Sequence, residues 1–474
     1  MAKDWLSRMK LNKKRESPFI KTKGGEKMGG KPIFLIENEN HTVLFMPLNG
    51  LIIEVKVDEK QKVRELTSRP DFSFNDIVKL FPEIDQNRLY QGEIPDNDID
   101  EEGACPDNLV LFTTLDCNLR CIYCYSKAGE QKKNIDWQTT KTAIDFIIQN
   151  AKLKGRKEVV IEFHGGGEPT WNWSIFKTAL SYFQEKAHQS ALSPKINLAT
   201  NGMLSKKQIE WIADHINTVQ VSLDGMPEIQ NYQRPTTKDV HSFDAVYNTI
   251  KSFLARNIKV TIRCTITEIG VNKISEITHF FVENFPGSAI HFEPVCECGR
   301  GLQTGQKFPS TDVFIREFIG AEKIAESFGM EISYSGASQN LTQIRRSFCG
   351  VYSPNFIVAP GGIISACHEV AEETHPLADY FIYGRIEDES FIFDYKKIKR
   401  IKNDSFHLKS NCRECFAQYY CAGECLAKNL MSGGEVNPRC KINQELTKHY
   451  IFKRLFRKEV NKYEGGRKNS GKKV

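Results

Sequence analysis

Short apolar runs alternate with amphipathic helical patterns between residues 108 and about 310, and this alternation constrains the fold more than any other feature. Six of the runs resemble buried strands, at 109–115, 159–164, 196–200, 218–223, 259–266 and 289–295. Helical patterns such as 137–152, 205–215 and 242–256 separate them. Strands joined by helices pair in parallel, so the sequence predicts an α/β fold, either an open doubly wound sheet or a barrel. In both folds the reactive groups gather at the carboxyl ends of the strands.

The segments on either side of this repeat have other patterns. Three apolar runs follow Pro32 and predict a small β-meander, and residues 58–93 have a helical pattern. Beyond about residue 340 the periodicity is lost and cysteines become frequent, so this part is expected to fold around metal rather than around a conventional core. The predicted units are a basic disordered tail, a small α+β module, the βα repeat, a cysteine-rich extension and a second basic tail, at 1–31, 32–100, 105–310, 340–450 and 453–474.

The formal net charge of +6 is unevenly distributed. Residues 1–32 and 453–474 each carry +7, so the rest of the chain carries 6 − 14 = −8. We expect solvated basic tails without nucleic-acid binding, because no aromatic residues alternate with the basic ones to stack on bases. No apolar stretch reaches the roughly 18 residues of a membrane span, and no apolar segment of a signal peptide follows the charged N-terminus. The sequence therefore predicts a cytoplasmic protein without a membrane partner.

The 14 cysteines suggest metal binding, because clustered thiols in a reducing compartment indicate metal rather than disulfides. Cys117, Cys121 and Cys124 follow the first predicted strand in the sequence CNLRCIYC. Three thiolates on one short loop can hold three irons of a cubane cluster and leave the fourth iron open. That iron can chelate the amino and carboxylate groups of S-adenosylmethionine. A structural zinc site is the alternative, but zinc takes four ligands and none is spaced to complete this set.

The CxxxCxxC spacing after the first strand of a βα repeat resembles the signature of the radical SAM superfamily. The resemblance covers about residues 108–310 and extends to GGGEP after the second strand, TNG after the third and SLDG after the fourth. It implies a partial (β/α)6 barrel that binds S-adenosylmethionine and a [4Fe–4S] cluster on the three cysteines. The implied contacts with S-adenosylmethionine come from Tyr123, Gly166, Gly167, Glu168, Pro169, Asn201, Ser222, Asp224 and Arg234.

Some of these residues have expected roles. Glu168 and the neighbouring glycine backbone are expected to hold the methionine amino group, since glycines allow close approach of the ligand. Arg234 is expected to pair with the carboxylate of the same cofactor. Considered without the resemblance, Ser222 and Asp224 would be helix N-caps. His164, at the end of the second strand, is expected to be a structural or wall residue.

A second cysteine group resembles the SPASM extension of radical SAM enzymes, which carries two auxiliary [4Fe–4S] clusters. In that pattern one cluster is closed by Cys412, Cys415, Cys421 and Cys440, and a second, nearer the barrel, is held by Cys349, Cys367 and Cys425. A zinc-ribbon-like structural domain is the alternative. The barrel-proximal cluster lacks one ligand, which Cys296 or Cys298 could supply; otherwise its iron stays open. Cys105 and Cys264 are expected to be ordinary linker and strand residues.

The resemblance implies an enzyme that cleaves S-adenosylmethionine to a radical and modifies a peptide or protein, with an electron donor such as flavodoxin or ferredoxin. Modification of a ribosomally made peptide, by a thioether or carbon crosslink or by epimerisation, is the favoured function. Sulfatase maturation is an alternative, but the formylglycine-forming branch has Asp where this chain has His368. The β-meander is expected to dock the peptide or act as a lid. A non-catalytic iron–sulfur or zinc scaffold is the third hypothesis.

Overall fold

The structure, a computed structural model, describes most of the chain from residue 33 to residue 467. The described ranges are 33–49, 51–69, 74–82, 105–238, 240–345, 347–352, 355–406, 412, 414–431 and 437–467. The predicted tail at 1–31 and much of the predicted helical segment at 58–93 lie outside them. In the ranges that are described, no helix is both long and apolar enough to cross a membrane.

The N-terminal module is a three-stranded antiparallel sheet followed by two helices, which confirms the predicted meander. Its elements are β1 (Phe34–Glu37), β2 (Thr42–Met46), β3 (Leu51–Val55), α1 (Lys60–Thr67) and α2 (Phe74–Leu80). One face of β2 packs under the two helices, where Leu44 and Met46 lie with Val63 and Ile77. The other face joins the main core through Phe45. The module is therefore attached to the body of the protein by its own apolar face.

The central sheet confirms the six predicted strands. They are β4 (Asn108–Leu111), β5 (Glu158–Phe163), β6 (Ser193–Thr200), β7 (Thr218–Ser222), β8 (Lys259–Ile266) and β9 (Ala289–Pro294), and a short β10 (Ile332–Ser333) follows. Each strand pairs in parallel with the next one. Alternate residues of β8 are buried, which is the period of two expected for a strand with one face under helices. The open parallel sheet confirms the predicted α/β fold class.

Helices connect the strands at the positions that the periodicity predicts. They are α3 (Trp137–Leu153), α4 (Trp173–Gln189), α5 (Lys206–His215), α6 (Pro227–Gln233), α7 (Phe243–Ala255), α8 (Ile274–Asn284), α9 (Arg300–Gln303) and α10 (Thr311–Ser327). Their starts have local causes: the Asp136 side chain accepts from the Thr139 N–H at 2.7 Å, and Ser205 and Gln208 form a capping box on α5. Pro227 begins α6, where its missing N–H costs nothing.

The C-terminal part has more regular structure than the sequence predicts. Its elements are β11 (Ile357–Ala359), β12 (Ile363–Ser365), α11 (Ala378–Phe381), β13 (Ile382–Glu387), β14 (Ser390–Phe393), α12 (Tyr395–Phe406), α13 (Gln418–Cys421), α14 (Leu426–Met431) and α15 (Arg439–Arg467). Strand β11 pairs in parallel with β4, and β12 to β14 extend the same sheet antiparallel. The expectation that this part lacks a conventional core is wrong, because Phe356, Val358 and Tyr383 are buried in the main core. Strands of three residues are too short to show a period in the sequence.

Two aromatic contacts join the N-terminal module to the C-terminal part. Phe45 of β2 stacks on Tyr420 at a centroid distance of 6.3 Å, and Phe34 of β1 packs edge-on against Tyr419 at 6.3 Å. Helix α15 continues into the predicted basic tail as far as Arg467. The N-terminal module therefore packs against the cysteine-rich extension.

Candidate active site

The loop after β4 brings three thiols together at the carboxyl end of the central sheet. The Leu119 N–H donates to Cys117 Sγ at 3.4 Å, and the Ala128 N–H donates to Cys124 Sγ at 3.4 Å. Burial raises the pKa of Cys121 to about 11, an effect that the Cys124 charge reinforces and Arg234 opposes. Mutually repelling thiolates with amide donors are the setting that a bound cation stabilises.

Two arginines that the sequence analysis did not single out hold this loop in shape. Arg120 Nη1 donates to the Cys117 carbonyl at 2.6 Å, and its Nη2 donates to the Gly129 carbonyl at 3.0 Å. Arg300, from α9, donates to the Cys121 carbonyl at 3.1 Å. Fixed guanidinium groups replace the regular hydrogen bonds that a loop lacks. These bonds hold the backbone of the loop at Cys117, Cys121 and Gly129.

The GGGEP segment after β5 lies against the cysteine loop at backbone contact. Gly165 and Gly166 have φ values of +104° and +69°, which favour glycine. The Gly167 N–H donates to the Thr114 carbonyl at 2.9 Å. A Cβ added to Gly167 would lie 1.9 Å from the Asp116 carbonyl oxygen. Glycine is required here because two backbone segments approach each other without room for a side chain.

Glu168 is buried with a 4% exposed side chain and ties two strand ends together. Its carboxylate accepts from Thr170 Oγ1 at 2.6 Å and from Thr200 Oγ1 at 2.8 Å. It also accepts from the Asn201 N–H at 2.7 Å. Burial raises the pKa of this carboxyl, against the hydrogen bonds that lower it. An ammonium group from a ligand would share the Glu168 oxygens with these donors.

Asn201 connects the end of β6 to the cysteine loop. Its Nδ2 donates to Asn118 Oδ1 at 2.7 Å and lies 3.6 Å from Cys117 Sγ. The Pro169 carbonyl accepts from Thr113 Oγ1 at 2.8 Å, which fixes the GGGEP segment from the other side. Ser222 is half-buried at the end of β7. These residues thus lie on adjacent strand ends, where the resemblance expects cofactor contacts.

Asp224, Arg234 and Tyr123 form a buried network beside Cys121. Asp224 Oδ2 accepts from Arg234 Nε at 2.9 Å and Oδ1 accepts from Nη2 at 3.1 Å, a two-point ion pair. The Tyr123 hydroxyl donates to Asp224 Oδ2 at 2.5 Å. The remaining nitrogen of Arg234, Nη1, lies 4.0 Å from Cys121 Sγ. Most of the Arg234 fork is therefore occupied by Asp224, which the sequence analysis did not anticipate.

A pair of histidines lies near these groups, at the end of β5. The rings of His164 and His368 have a centroid distance of 5.1 Å. Burial lowers the pKa of His368 to about 4, an effect that the Arg263 charge reinforces, and burial also lowers the pKa of His164. Among the described residues, His368 Nε2 is buried without a hydrogen-bond partner. Both rings are therefore neutral at neutral pH.

The C-terminal cysteines lie in two neighbourhoods. Burial raises the pKa of Cys367, and the charges of Cys425 and Cys349 raise it further, so these three thiols are neighbours. Burial also raises the pKa of Cys421, with smaller contributions from Cys415 and Cys412.

The second neighbourhood is close to helix α15. Gln444 Nε2 donates to Cys415 Sγ at 3.3 Å, and the Cys415 N–H donates to the Cys412 carbonyl at 3.0 Å. Cys440 lies in the first turn of the same helix.

A buried charge network joins this extension to the central sheet. Arg439 Nε donates to Glu424 Oε1 at 2.8 Å, and Arg439 Nη1 donates to Glu293 Oε1 on β9. Burial raises the pKa of Glu293, but the Arg439 guanidinium holds it well below its usual range. Arg439 precedes Cys440 and Glu424 precedes Cys425. The network therefore fixes one cysteine of each neighbourhood relative to the sheet.

Comparisons with known proteins agree with this geometry. The family model of the radical SAM superfamily matches residues 111–278. The cysteine-type anaerobic sulfatase-maturating enzyme of Clostridium perfringens is 22% identical over 367 residues, which cover 72% of this chain and 94% of that enzyme. The sporulation killing factor maturation protein SkfB of Bacillus subtilis is 24% identical over 174 residues, 36% of this chain and 38% of that protein.

A solved structure, native anSMEcpe with bound AdoMet and Cp18Cys peptide, shares the fold with a TM-score of 0.57 and 18% identity. It covers 75% of this chain, and the match covers 99% of that structure. The segment that the family model matches, residues 111–278, includes the three-cysteine loop, the GGGEP segment and the ends of β6 and β7. Residues 111–278 of this chain therefore form a radical SAM domain.

Proposed function

We propose that this chain reductively cleaves S-adenosylmethionine and uses the 5′-deoxyadenosyl radical to modify a ribosomally made peptide. The observation that carries the proposal is the meeting of three thiols, a glycine-rich segment and a buried carboxylate at adjacent strand ends. Similarity to the sulfatase-maturating enzyme over 72% of the chain supports a peptide or protein as the substrate.

The residues fit a [4Fe–4S] cluster and its nucleotide ligand. Cys117, Cys121 and Cys124 would ligate three irons, and the amides that donate to two of their sulfurs would stabilise the thiolate form. The glycine backbone at 165–167 leaves space that a Cβ would fill. The cluster and S-adenosylmethionine, when bound, supply the electron and the sulfonium from which the radical forms.

The protein supplies orientation and a dry environment. Donors from two strand ends hold Glu168 in one side-chain conformation, so its oxygens would already be oriented when a ligand binds. Asp224 balances the charge of Arg234, and this pair fixes the side of the loop that carries Cys121. The neutral His164 and His368 would add no competing charge at this end of the sheet.

The C-terminal cysteines would hold two auxiliary [4Fe–4S] clusters. Cys349, Cys367 and Cys425 would ligate the barrel-proximal cluster, and the neighbourhood beside α15 would ligate the other. Clustered thiols whose pKa values rise through burial, and further through mutual repulsion, are stabilised as thiolates by a bound metal. This arrangement favours iron–sulfur clusters that exchange electrons with a donor such as flavodoxin or ferredoxin.

The peptide would reach the site from the N-terminal module. That module packs on the cysteine-rich extension through Phe34 and Phe45, so a peptide bound to it would be held near the central sheet. The solved structure with bound AdoMet also contains a peptide, which supports this class of substrate. A reducing, cytoplasmic location suits the exposed iron chemistry.

Maturation of a sulfatase is the second proposal, favoured by the similarity to the Clostridium perfringens enzyme along nearly its whole length. The residue that separates the two proposals is His368, which stands where the formylglycine-forming branch has Asp. Incubation with a sulfatase-derived cysteine peptide tests it, because an aldehyde product would support maturation and a crosslinked or epimerised peptide would not.

The central experiment is anaerobic reconstitution followed by reduction with dithionite. We expect 5′-deoxyadenosine from the wild-type protein and about 12 irons per chain, four for each of three clusters. The triple variant C117A/C121A/C124A should make no 5′-deoxyadenosine and should keep about eight irons. C105A is the matched control and should behave as wild type. Release of 5′-deoxyadenosine by the triple variant would exclude the radical assignment, and an iron-free wild type would favour the zinc scaffold.

A further inference from the structure

Two cysteines after β9 and one carboxylate form a cluster of possible metal ligands. Cys296, Cys298 and Glu369 have ligand atoms that all lie within 4.8 Å of one another. Cys298 is buried with 5% exposure, and the other two residues are half-buried. A disulfide joins the two cysteines. The cluster lies outside the three-cysteine loop that the family signature describes.

Glu369 lacks the partners that a buried carboxylate ordinarily has. Among the described residues the polar contact of its side chain is with the Cys298 sulfur, which lies 3.9 Å from Glu369 Oε1, and it forms no ion pair. An ionised carboxylate inside a protein is stable when it is paired or coordinates a metal. The carboxylate therefore lacks a cation.

The cluster adjoins the cysteines assigned to the barrel-proximal auxiliary cluster. Glu369 lies two residues after Cys367, and after burial and Cys425 its charge is the next contribution to the raised pKa of Cys367. On the other side, the Cys298 N–H donates to the Cys296 carbonyl at 2.9 Å, which folds this loop into a tight turn. Glu369 thus lies between the Cys298 sulfur and the group formed by Cys349, Cys367 and Cys425.

We propose that Cys298 and Glu369 together bind the iron that Cys349, Cys367 and Cys425 leave without a protein ligand. The inference rests on the proposed auxiliary cluster. It adds that one iron of this cluster has a thiolate and a carboxylate as its protein ligands. Iron accepts both donor types, the soft thiolate and the hard carboxylate. Cys296 is not a ligand in this arrangement. It forms the disulfide that keeps the Cys298 sulfur from binding iron.

The disulfide must open before Cys298 can bind iron. A dithiol reductant supplies two electrons and two protons, so that the S–S bond breaks, two thiols form and the reductant becomes a cyclic disulfide. The Cys298 thiol then releases its proton to solvent as its sulfur binds iron. While the S–S bond is intact, the Cys298 sulfur cannot act as a thiolate ligand.

Iron analysis of the full-length protein, reconstituted with a dithiol present, tests the ligands. C298A and E369Q should each contain about one iron less per chain than wild type and show a three-iron cluster signal by EPR spectroscopy. E369Q keeps the shape of the side chain, so it stays informative if C298A folds poorly. The matched controls are C105A and E373Q, whose exposed carboxylate pairs with Arg385; both should retain wild-type iron and spectra.

Two further outcomes separate this inference from the proposed function. If C367A loses the auxiliary cluster while C298A and E369Q keep wild-type iron and spectra, the ligand proposal is overturned and the cluster stands. Wild-type iron in C367A as well would overturn the cluster itself. A deficit in C298A alone would overturn the carboxylate ligand.

Alkylation gives an independent readout of the disulfide partner. In the reconstituted wild-type protein iodoacetamide should modify Cys296, whereas iron should protect Cys298, as peptide mass spectrometry would show. Unfolding with a chelator present should expose both thiols. Equal modification of the two cysteines in the folded, iron-loaded protein would contradict the assigned roles.

Discussion

The contact between the GGGEP segment and the cysteine loop allows a sharp prediction for G167A. The new Cβ would meet the Asp116 carbonyl oxygen at 1.9 Å, a distance that must exceed 3.0 Å, so the two backbone segments must separate by about 1.1 Å. The Gly167 N–H to Thr114 carbonyl bond of 2.9 Å and the Glu168 N–H to Asp116 carbonyl bond of 3.0 Å would then break. At about 0.5–1.5 kcal/mol for each bond, G167A should lower the free energy of unfolding by roughly 1–3 kcal/mol.

The same displacement should also slow the chemistry. A misplacement of about 1 Å in a reactive geometry costs on the order of 100-fold in rate. We therefore expect G167A to form 5′-deoxyadenosine roughly 10- to 100-fold more slowly than wild type, while it still binds the cluster iron. The assays are anaerobic single-turnover formation of 5′-deoxyadenosine and chemical unfolding.

G270A is the matched control for this variant. Gly270 has a negative φ of −95°, and its nearest neighbour would lie 3.8 Å from an added Cβ, an ordinary contact. G270A should therefore leave both the rate and the stability within about 0.5 kcal/mol of wild type. A G167A protein with the wild-type rate and stability would refute the close backbone approach.

Two further predictions concern packing outside the site. Glu322 accepts from His449 Nε2 and Lys453 Nζ, both at 2.7 Å; burial raises its pKa, but these bonds hold it below its ordinary value. Such a carboxyl adds stability above its unfolded pKa that is lost as the pH falls through the lower folded pKa. E322Q should therefore cost about 1.5–3 kcal/mol at pH 7 and progressively less as the pH falls through the lowered pKa of Glu322, measured by urea unfolding. F45A removes a buried ring that stacks on Tyr420 and should cost about 3–5 kcal/mol; an unchanged Tm would contradict the docked N-terminal module.

The parallel sheet could be predicted because its information is local. Buried strands such as 259–266 are continuous or alternating apolar runs, and caps such as Asp136 and Ser205 mark where helices begin. The observed bounds therefore differ from the predicted ones by only a few residues. The extension could not be predicted in this way, because β11 has three residues and its partner β4 lies more than 200 residues earlier.

The residues of the site also divide into those that a local sequence pattern reveals and those that only the fold reveals. The three cysteines and the GGGEP segment are visible because their spacing is short and unusual. The pairing of Arg234 with Asp224 depends on how α6 lies across the strand ends, and the sequence alone assigned Arg234 to a ligand. Arg300 and Glu369 lie in no periodic or spaced pattern, and the cysteine spacing around Arg120 does not specify that residue, so only the folded backbone shows what these three side chains contact.

The pairing of β4 with β11 has a consequence for electron transfer. Strand β4 leads into the loop with Cys117, and β11 leads through its hairpin with β12 to Cys367. Backbone bonds of 3.0 Å from the Val110 N–H and 2.9 Å from the Phe112 N–H hold the two strands together. Core strands separate only when most of the protein unfolds. The distance for electron tunnelling between metal centres on these loops would therefore be set by the register of β4 and β11. Electron transfer between them would not depend on a hinge motion.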